Sequence, residues 1–250
     1  MTREASGGVT MRSAGGVATV TLSSQRVHNA LTPAMARELL ACCDEIDADS
    51  QVGAAILIGA GTSFCSGADR RTWDVDGDQV AEPRYADTGV VYESFLRFGA
   101  LAVPTIAAVR GNAIGAGLNL MLAADMRLVS TTARIFPGFV RIGLHPGGGY
   151  FTLSNRVAGR EATAAMGLFD EEIDGARAVA LGLAWELCAD EALEDRAQEL
   201  AARVARDPQL ARRVVCSFRE ELGPPGIPWA VASEYERASQ MWSQRRRDSA

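Results

Sequence analysis

The chain contains no lysine; all 25 of its basic side chains are arginine. A Walker-type phosphate loop, which needs its lysine, is therefore excluded, and so is Schiff-base catalysis through lysine. Only two histidines are present, so imidazole acid–base chemistry has few candidates. No run of about 18 uncharged apolar residues occurs, so no membrane-spanning helix is expected. Met1-Thr2-Arg3-Glu4 lacks the basic-then-apolar order of a secretory signal. The five cysteines (Cys42, Cys43, Cys65, Cys188, Cys216) are odd in number. No set of His, Cys, Asp or Glu has metal-ligand spacing, so no metal is expected, and a reduced, cytoplasmic setting fits best. A net charge of −6 argues against nucleic acid as a partner, although arginines still suit local phosphate contacts.

What is present is a soluble, globular balance: 250 residues, 48% apolar and 22% charged, enough for a substantial core at the upper end of a single compact domain. Val9–Arg12 and Val17–Leu22 flank Ser13-Ala14-Gly15-Gly16 and predict a hairpin. Thr32-Pro33 reads as an N-cap followed by proline at the first helical position, with Met35, Leu39, Cys43 and Ile46 on one apolar face. Ala54–Ile58 is a strand. Residues 70–88 form a polar insertion of a kind that often covers a site, before a helix at Val90–Phe98. A strand (Thr105–Arg110), a buried helix (about 116–124) and a strand (Met126–Ser130) follow. This alternation indicates an α/β core. Beyond about 190 the pattern is helical, with Leu193, Ala197, Leu200 and Val204 in register, then Leu210, Val214 and Phe218. Gly223-Pro224-Pro225-Gly226 breaks the chain before a last helix carrying Trp229, Tyr235 and Trp242.

Two glycine bends carry the chemistry. Gly111-Asn112-Ala113-Ile114-Gly115-Ala116-Gly117-Leu118-Asn119 leads from a strand into an apolar helix whose one polar side chain is Asn119. Cys65-Ser66-Gly67-Ala68-Asp69 follows another strand. Small residues let backbone approach a ligand closely, and a first helical turn offers unpaired N–H groups at a positive dipole end. Two such bends suit a pair of amides aimed at one developing oxyanion.

These bends, with His28-Asn29-Ala30-Leu31, Ala123-Ala124-Asp125-Met126-Arg127 and Gly143-Leu144-His145-Pro146-Gly147-Gly148-Gly149, resemble the enoyl-CoA hydratase/isomerase (crotonase) superfamily in order and spacing across residues 9–190. The resemblance implies an α/β spiral core of repeated ββα units over residues 1–190. It also implies a C-terminal helical trimerisation region at 191–250, assembling a homotrimer or dimer of trimers. The expected ligand is an acyl-CoA of fatty acid metabolism, with coenzyme A as part of the substrate and no tightly bound cofactor. The oxyanion amides fall at Ala68 and Ala116, where the family usually has glycine at the second position. Substrate or coenzyme A contacts fall at Arg26, His28, Ala30, Ser66, Gly67, Asp69, Arg70, Gly115 and Gly117.

The family's two hydratase glutamates map onto Asn119 and Phe139, so both carboxylates are missing. An asparagine amide orients water but does not take its proton near neutral pH, and phenylalanine fills space. Conventional hydration is therefore not expected, which leaves isomerisation, thioester cleavage or decarboxylation (a lyase or isomerase class by resemblance), or a non-catalytic acyl-CoA carrier of the same fold. His145 remains as a proton-transfer candidate, the blander reading being a histidine hydrogen-bonded to backbone at a turn. Asp69 reads as structural, pairing with Arg70 or Arg71, and Glu93 as part of a solvated helix face. Tyr92 and Tyr150 are weaker candidates. Arg26, Arg70 and Arg71 serve equally as phosphate contacts or ordinary surface groups, Arg245-Arg246-Arg247 as a solvated tail, and Trp229 and Trp242 as packing or subunit contacts. A dinucleotide fingerprint fails at Leu120, where its third glycine would stand. Ser66 has no Gly-x-Ser-x-Gly elbow around it.

Overall fold

The computed structural model describes residues 8–69 and 81–223. The chain opens with the expected hairpin, β1 (Gly8–Ala14) and β2 (Val17–Ser23), turning at Gly15-Gly16, both at positive φ. Helix α1 (Pro33–Ala48) begins as its sequence predicts: the Thr32 hydroxyl accepts from the Met35 amide at 3.1 Å, and Pro33 occupies the first turn. Met35, Leu39, Cys43 and Ile46 are all buried. Then come β3 (Ala54–Gly59) and α2 (Ala81–Gly99). That helix starts well before Val90, so the polar insertion is shorter than the sequence predicts. Proline and glycine at Pro83 and Gly89 hide the helix, because both score poorly inside one.

Two strand–strand–helix units follow. The first is β4 (Thr105–Val109), β5 (Asn112–Ile114) and α3 (Ala116–Ala123). The second is β6 (Met126–Ser130), β7 (Arg134–Phe136) and α4 (Tyr150–Phe169). The chain continues through β8 (Ile173–Asp174), α5 (Gly175–Ala180), β9 (Glu186–Cys188), α6 (Leu193–Ala205) and α7 (Pro208–Leu222). Six strands form one sheet in the order β1-β2-β3-β4-β6-β9, parallel except for the opening hairpin. A smaller sheet, β5-β7-β8, is extended by the bridges Cys65–Ala113 and Leu31–Ala68. Successive turns of the chain thus give a strand to the large sheet and a short stretch to the small one, the ββα spiral.

The central strands β3 and β4 are buried on both faces, which is why they read as continuous apolar runs. Ala55, Leu57, Ala107 and Val109 join the core that contains α1, α2 and α3. Ala54, Ile56, Ile106 and Ala108 point the other way and pack on α6. The face that α6 offers is Leu193, Ala197, Ala201 and Ala205, whereas Leu200 is half-buried and Val204 is 42% exposed. Leu193 and Ala197 are buried as the sequence predicts, but the face continues through Ala201 and Ala205 rather than Leu200 and Val204, because alanines let this helix sit close to the sheet. In α7 the buried positions are Ala211 and Val215, while Val214 and Phe218 are exposed. Arginines hold that helix instead. Arg212 donates to the carbonyls of Ile46 and Asp49 beside the end of α1. Arg219 grips Asp125 through two nitrogens and also reaches the Leu101 and Val103 carbonyls. Trp229, Tyr235, Trp242 and Arg245–Arg247 lie outside the described residues.

Candidate active site

The two bends meet. Gly67 has φ 110°, and a Cβ placed on it would stand 3.2 Å from Ile114 O and 4.0 Å from Ala116 N. Gly115, at φ 53° and ψ −114°, turns the chain into α3. Gly117 lets α3 press against the first bend, since any side chain there would collide with the Cys65 carbonyl. Backbone bonds fasten the contact: Cys65 N–H donates to Asn112 O at 2.8 Å, and Ile114 N–H to Cys65 O at 3.0 Å. Ala68 and Ala116 line the same cavity, of about 650 Å³. Among the described residues neither amide donates a backbone hydrogen bond. For Ala116 that follows from its place at the start of α3, where no intrahelical acceptor exists and the helix dipole is positive.

The segment before α1 buttresses the first bend through its backbone. Ser66 N–H donates to His28 O at 3.0 Å, Leu31 N–H to Gly67 O at 2.7 Å, and the Ser66 hydroxyl to Val27 O at 2.8 Å. Asn29, which sequence reasoning passed over, pins this segment. It sits fully buried at φ 58°, donates to Ala60 O and Ser63 O, and accepts from Ser24 N–H. Asparagine tolerates the left-handed region and brings both a donor and an acceptor. Of the expected ligand contacts, Ser66, Gly67 and Gly115 line the cavity; Gly117 sits behind it. Arg26 and His28 are exposed, Ala30 is buried, and none of the three borders the cavity. Arg70 and Arg71 lie outside the described residues. Asp69 is buried at 6% exposure, and its N–H donates to Leu31 O at 2.8 Å.

The other half of the cavity is made of side chains. Asn119 and Phe139 both line it. Asn119 is 1% exposed; its Nδ2 donates to Gly147 O at 2.7 Å, and its Oδ1 is buried with no hydrogen-bond partner among the described residues. The asparagine therefore ties α3 to the glycine-rich loop before α4, a bond an ionised glutamate could not make, having no proton to donate. Phe139 lies against Tyr150, ring centroids 6.3 Å apart. His145 is exposed on the cavity wall, with Nδ1 2.6 Å from Pro146 O. A carbonyl only accepts, so in the neutral ring Nδ1 carries the proton and Nε2 keeps its lone pair. This is the backbone bond at a turn that the blander reading describes, and it leaves one basic nitrogen available.

Other candidates separate clearly. Glu93 is exposed and does not border the cavity. Burial pushes the Tyr150 hydroxyl up, which keeps it protonated. Burial likewise pushes the Cys65 thiol up to about 12, so no thiolate forms at the first bend. Tyr92 lines the cavity, its hydroxyl close over Gly147. Asp87 also lines it, half-exposed and 3.4 Å from Arg37. No motif marks Asp87, which falls in the stretch expected to be an insertion. Arg141 borders the cavity as well, stacked 4.4 Å from the Phe136 ring centroid and paired with Asp170 at 2.6 Å. Among the described residues no three His, Cys, Asp or Glu side chains converge in a way that could hold a metal. No helix there is long and apolar enough to cross a membrane.

Known proteins share this architecture. A protein named probable enoyl-CoA hydratase from Mycobacterium tuberculosis is 38% identical over 218 residues, 87% of this chain and 82% of its own length. The 1,2-epoxyphenylacetyl-CoA isomerase of Escherichia coli is 33% identical over 198 residues, covering 77% and 74%. A Thermobifida fusca YX structure solved in complex with CoA superposes with TM-score 0.85 at 27% identity, over 97% of this chain and 95% of that one. The sequence profile described as enoyl-CoA hydratase/isomerase matches residues 12–231, and the chain belongs to that family.

Proposed function

We propose that the protein is an acyl-CoA enzyme in which the amides of Ala68 and Ala116 hold the thioester oxygen while an enolate develops, and that its reaction is not conventional enoyl-CoA hydration. The observation that carries this reading is the convergence of the two bends on one cavity, with neither amide engaged in a backbone hydrogen bond among the described residues. Fixed neutral donors suit charge that appears only in the transition state, and one such donor is worth about 3–4 kcal/mol. Against hydration stands the pair Asn119 and Phe139, neither able to exchange a proton with water near neutral pH. Each general acid or base contributes about 100- to 10,000-fold, so losing both is decisive. Hydration is also not the only chemistry named among the relatives, one of which is an isomerase.

In this reading His145 Nε2 is the proton-transfer candidate. Coenzyme A enters as part of the substrate, with its contacts divided between the first bend and Arg26 or Arg70, and no tightly bound cofactor is required. A cytoplasmic homotrimer or dimer of trimers, assembled through residues 191–250, completes it. The test is the conjugated-enoyl absorbance of crotonyl-CoA, which the purified protein should leave essentially unchanged. Hydration at a rate ordinary for the family overturns the proposal. A second reading, a non-catalytic acyl-CoA carrier, is favoured by the engagement of Asn119 Nδ2 with Gly147 O, which commits that side chain to structure. Binding without product across a panel of acyl-CoAs would decide for the carrier.

A further inference from the structure

Only 6% of the chain is aromatic, yet Tyr92, Phe136, Phe139 and the His145 ring all border the one cavity. Phe139 belongs to a relay of tilted rings. It lies 6.3 Å from Tyr150 at 54°, Tyr150 lies 5.5 Å from Phe151 at 56°, and Phe151 meets His145 edge-on at 6.4 Å and 77°. Tyr150 is 1% exposed, so the ring behind Phe139 is itself locked in the core. Phe136 is held by the Arg141 guanidinium at 4.4 Å, and Arg141 in turn by Asp170. The cavity wall therefore combines aliphatic side chains such as Leu31, Ile114 and Ile142 with rings, of which Phe136 and Phe139 are held by their neighbours before any ligand arrives.

We infer that the acyl group this cavity selects is aromatic: an arylacyl thioester rather than a straight-chain one. The inference rests on the thioester reading above and narrows it. Ring pairs favour edge-to-face and offset contacts at centroid separations of about 4.5–7 Å, beyond what burial alone contributes. Rings held in place supply those contacts without first being ordered. A flexible alkyl chain buries comparable area but loses the freedom of several rotors, whereas an arene loses almost none. The side chain that stands where the family's hydratases use a glutamate becomes, on this account, part of the acyl-recognition surface.

Calorimetric titration with phenylacetyl-CoA, octanoyl-CoA of equal acyl carbon count, and free coenzyme A tests it. Wild-type protein is expected to bind phenylacetyl-CoA about tenfold or more tightly than octanoyl-CoA, one to two ring contacts' worth. Phe139→Leu should bring the two within about threefold of each other, while Phe139→Tyr, which keeps a ring, retains the preference. Octanoyl-CoA binding as tightly as phenylacetyl-CoA, or a preference unmoved in Phe139→Leu, overturns the aromatic assignment alone. If none of the three ligands binds, the thioester reading falls and this one with it.

Discussion

The candidate site has two halves of different construction. The half made by the bends at Ala68 and Ala116 is backbone, and each of its parts is over-determined. Gly67 and Gly115 have φ values closed to ordinary residues, Gly117 has no room for a Cβ, and Asn29 ties its segment to Ser24 and to the loop after β3 with three hydrogen bonds. The other half is side chain. It consists of Asn119, Phe139 and His145, only the first of them fully buried. Main-chain donors depend on the path of the chain, which many contacts enforce together. Side chains depend on single positions and change one at a time. A fold can therefore keep a backbone frame of this kind while the side chains beside it vary.

The comparison breaks most visibly if one amide is removed without disturbing the turn. Ala116→Pro does this, because the first helical position tolerates proline and Gly115 ahead of it is permissive. Turnover of whichever acyl-CoA proves to be a substrate should fall about 100- to 1,000-fold, with the melting temperature little changed. Unchanged turnover would mean that the backbone half is scaffold only.

Asn119→Asp sharpens the other side. The substitution is nearly isosteric but replaces the donor to Gly147 O with an acceptor when ionised, at a cost of about 1–3 kcal/mol of stability near neutrality. Burial beside a carbonyl raises the folded-state pKa of the new carboxyl above its unfolded value of about 3.9. The variant should therefore match wild type below that value and lose stability as pH rises through the higher folded pKa. Thermal melts at acid and neutral pH read this directly; no deficit at neutral pH would show that the bond to Gly147 does not matter.

The smallest effect belongs to the outer wall. Hydrogen bonding by the Arg134 guanidinium holds the Glu172 carboxyl below the usual range, with Arg141 adding to it. Glu172→Gln should cost at most about 1 kcal/mol, since the pair is partly exposed. Because the carboxyl is depressed in the folded state, its contribution is full above the ordinary glutamate pKa and disappears as pH falls through the folded value. Melting curves of the two proteins should converge in acid.

Much of the backbone half was legible in the sequence, because glycines at fixed offsets after strands have few other uses, and Thr32-Pro33 marks a helix start by its chemistry. Asn119 and Phe139, picked out from the same frame, both line the cavity. What escaped were contacts made by distance in the chain. The Asn119–Gly147 bond spans 28 residues. Asp87 reaches the cavity only because α2 begins earlier than Pro83 and Gly89 suggest. Ala201 and Ala205 on the buried face of α6 were missed because methyl groups carry little weight in a hydropathy pattern, although they decide how near a helix can approach a sheet.

The absent side chain at Gly117 has one more consequence. With α3 resting directly on the Cys65 carbonyl, the space between the two bends leaves no room for a side chain. Such a frame behaves like a fixed jaw, and a new reaction arises by changing what the jaw faces rather than by reshaping its grip.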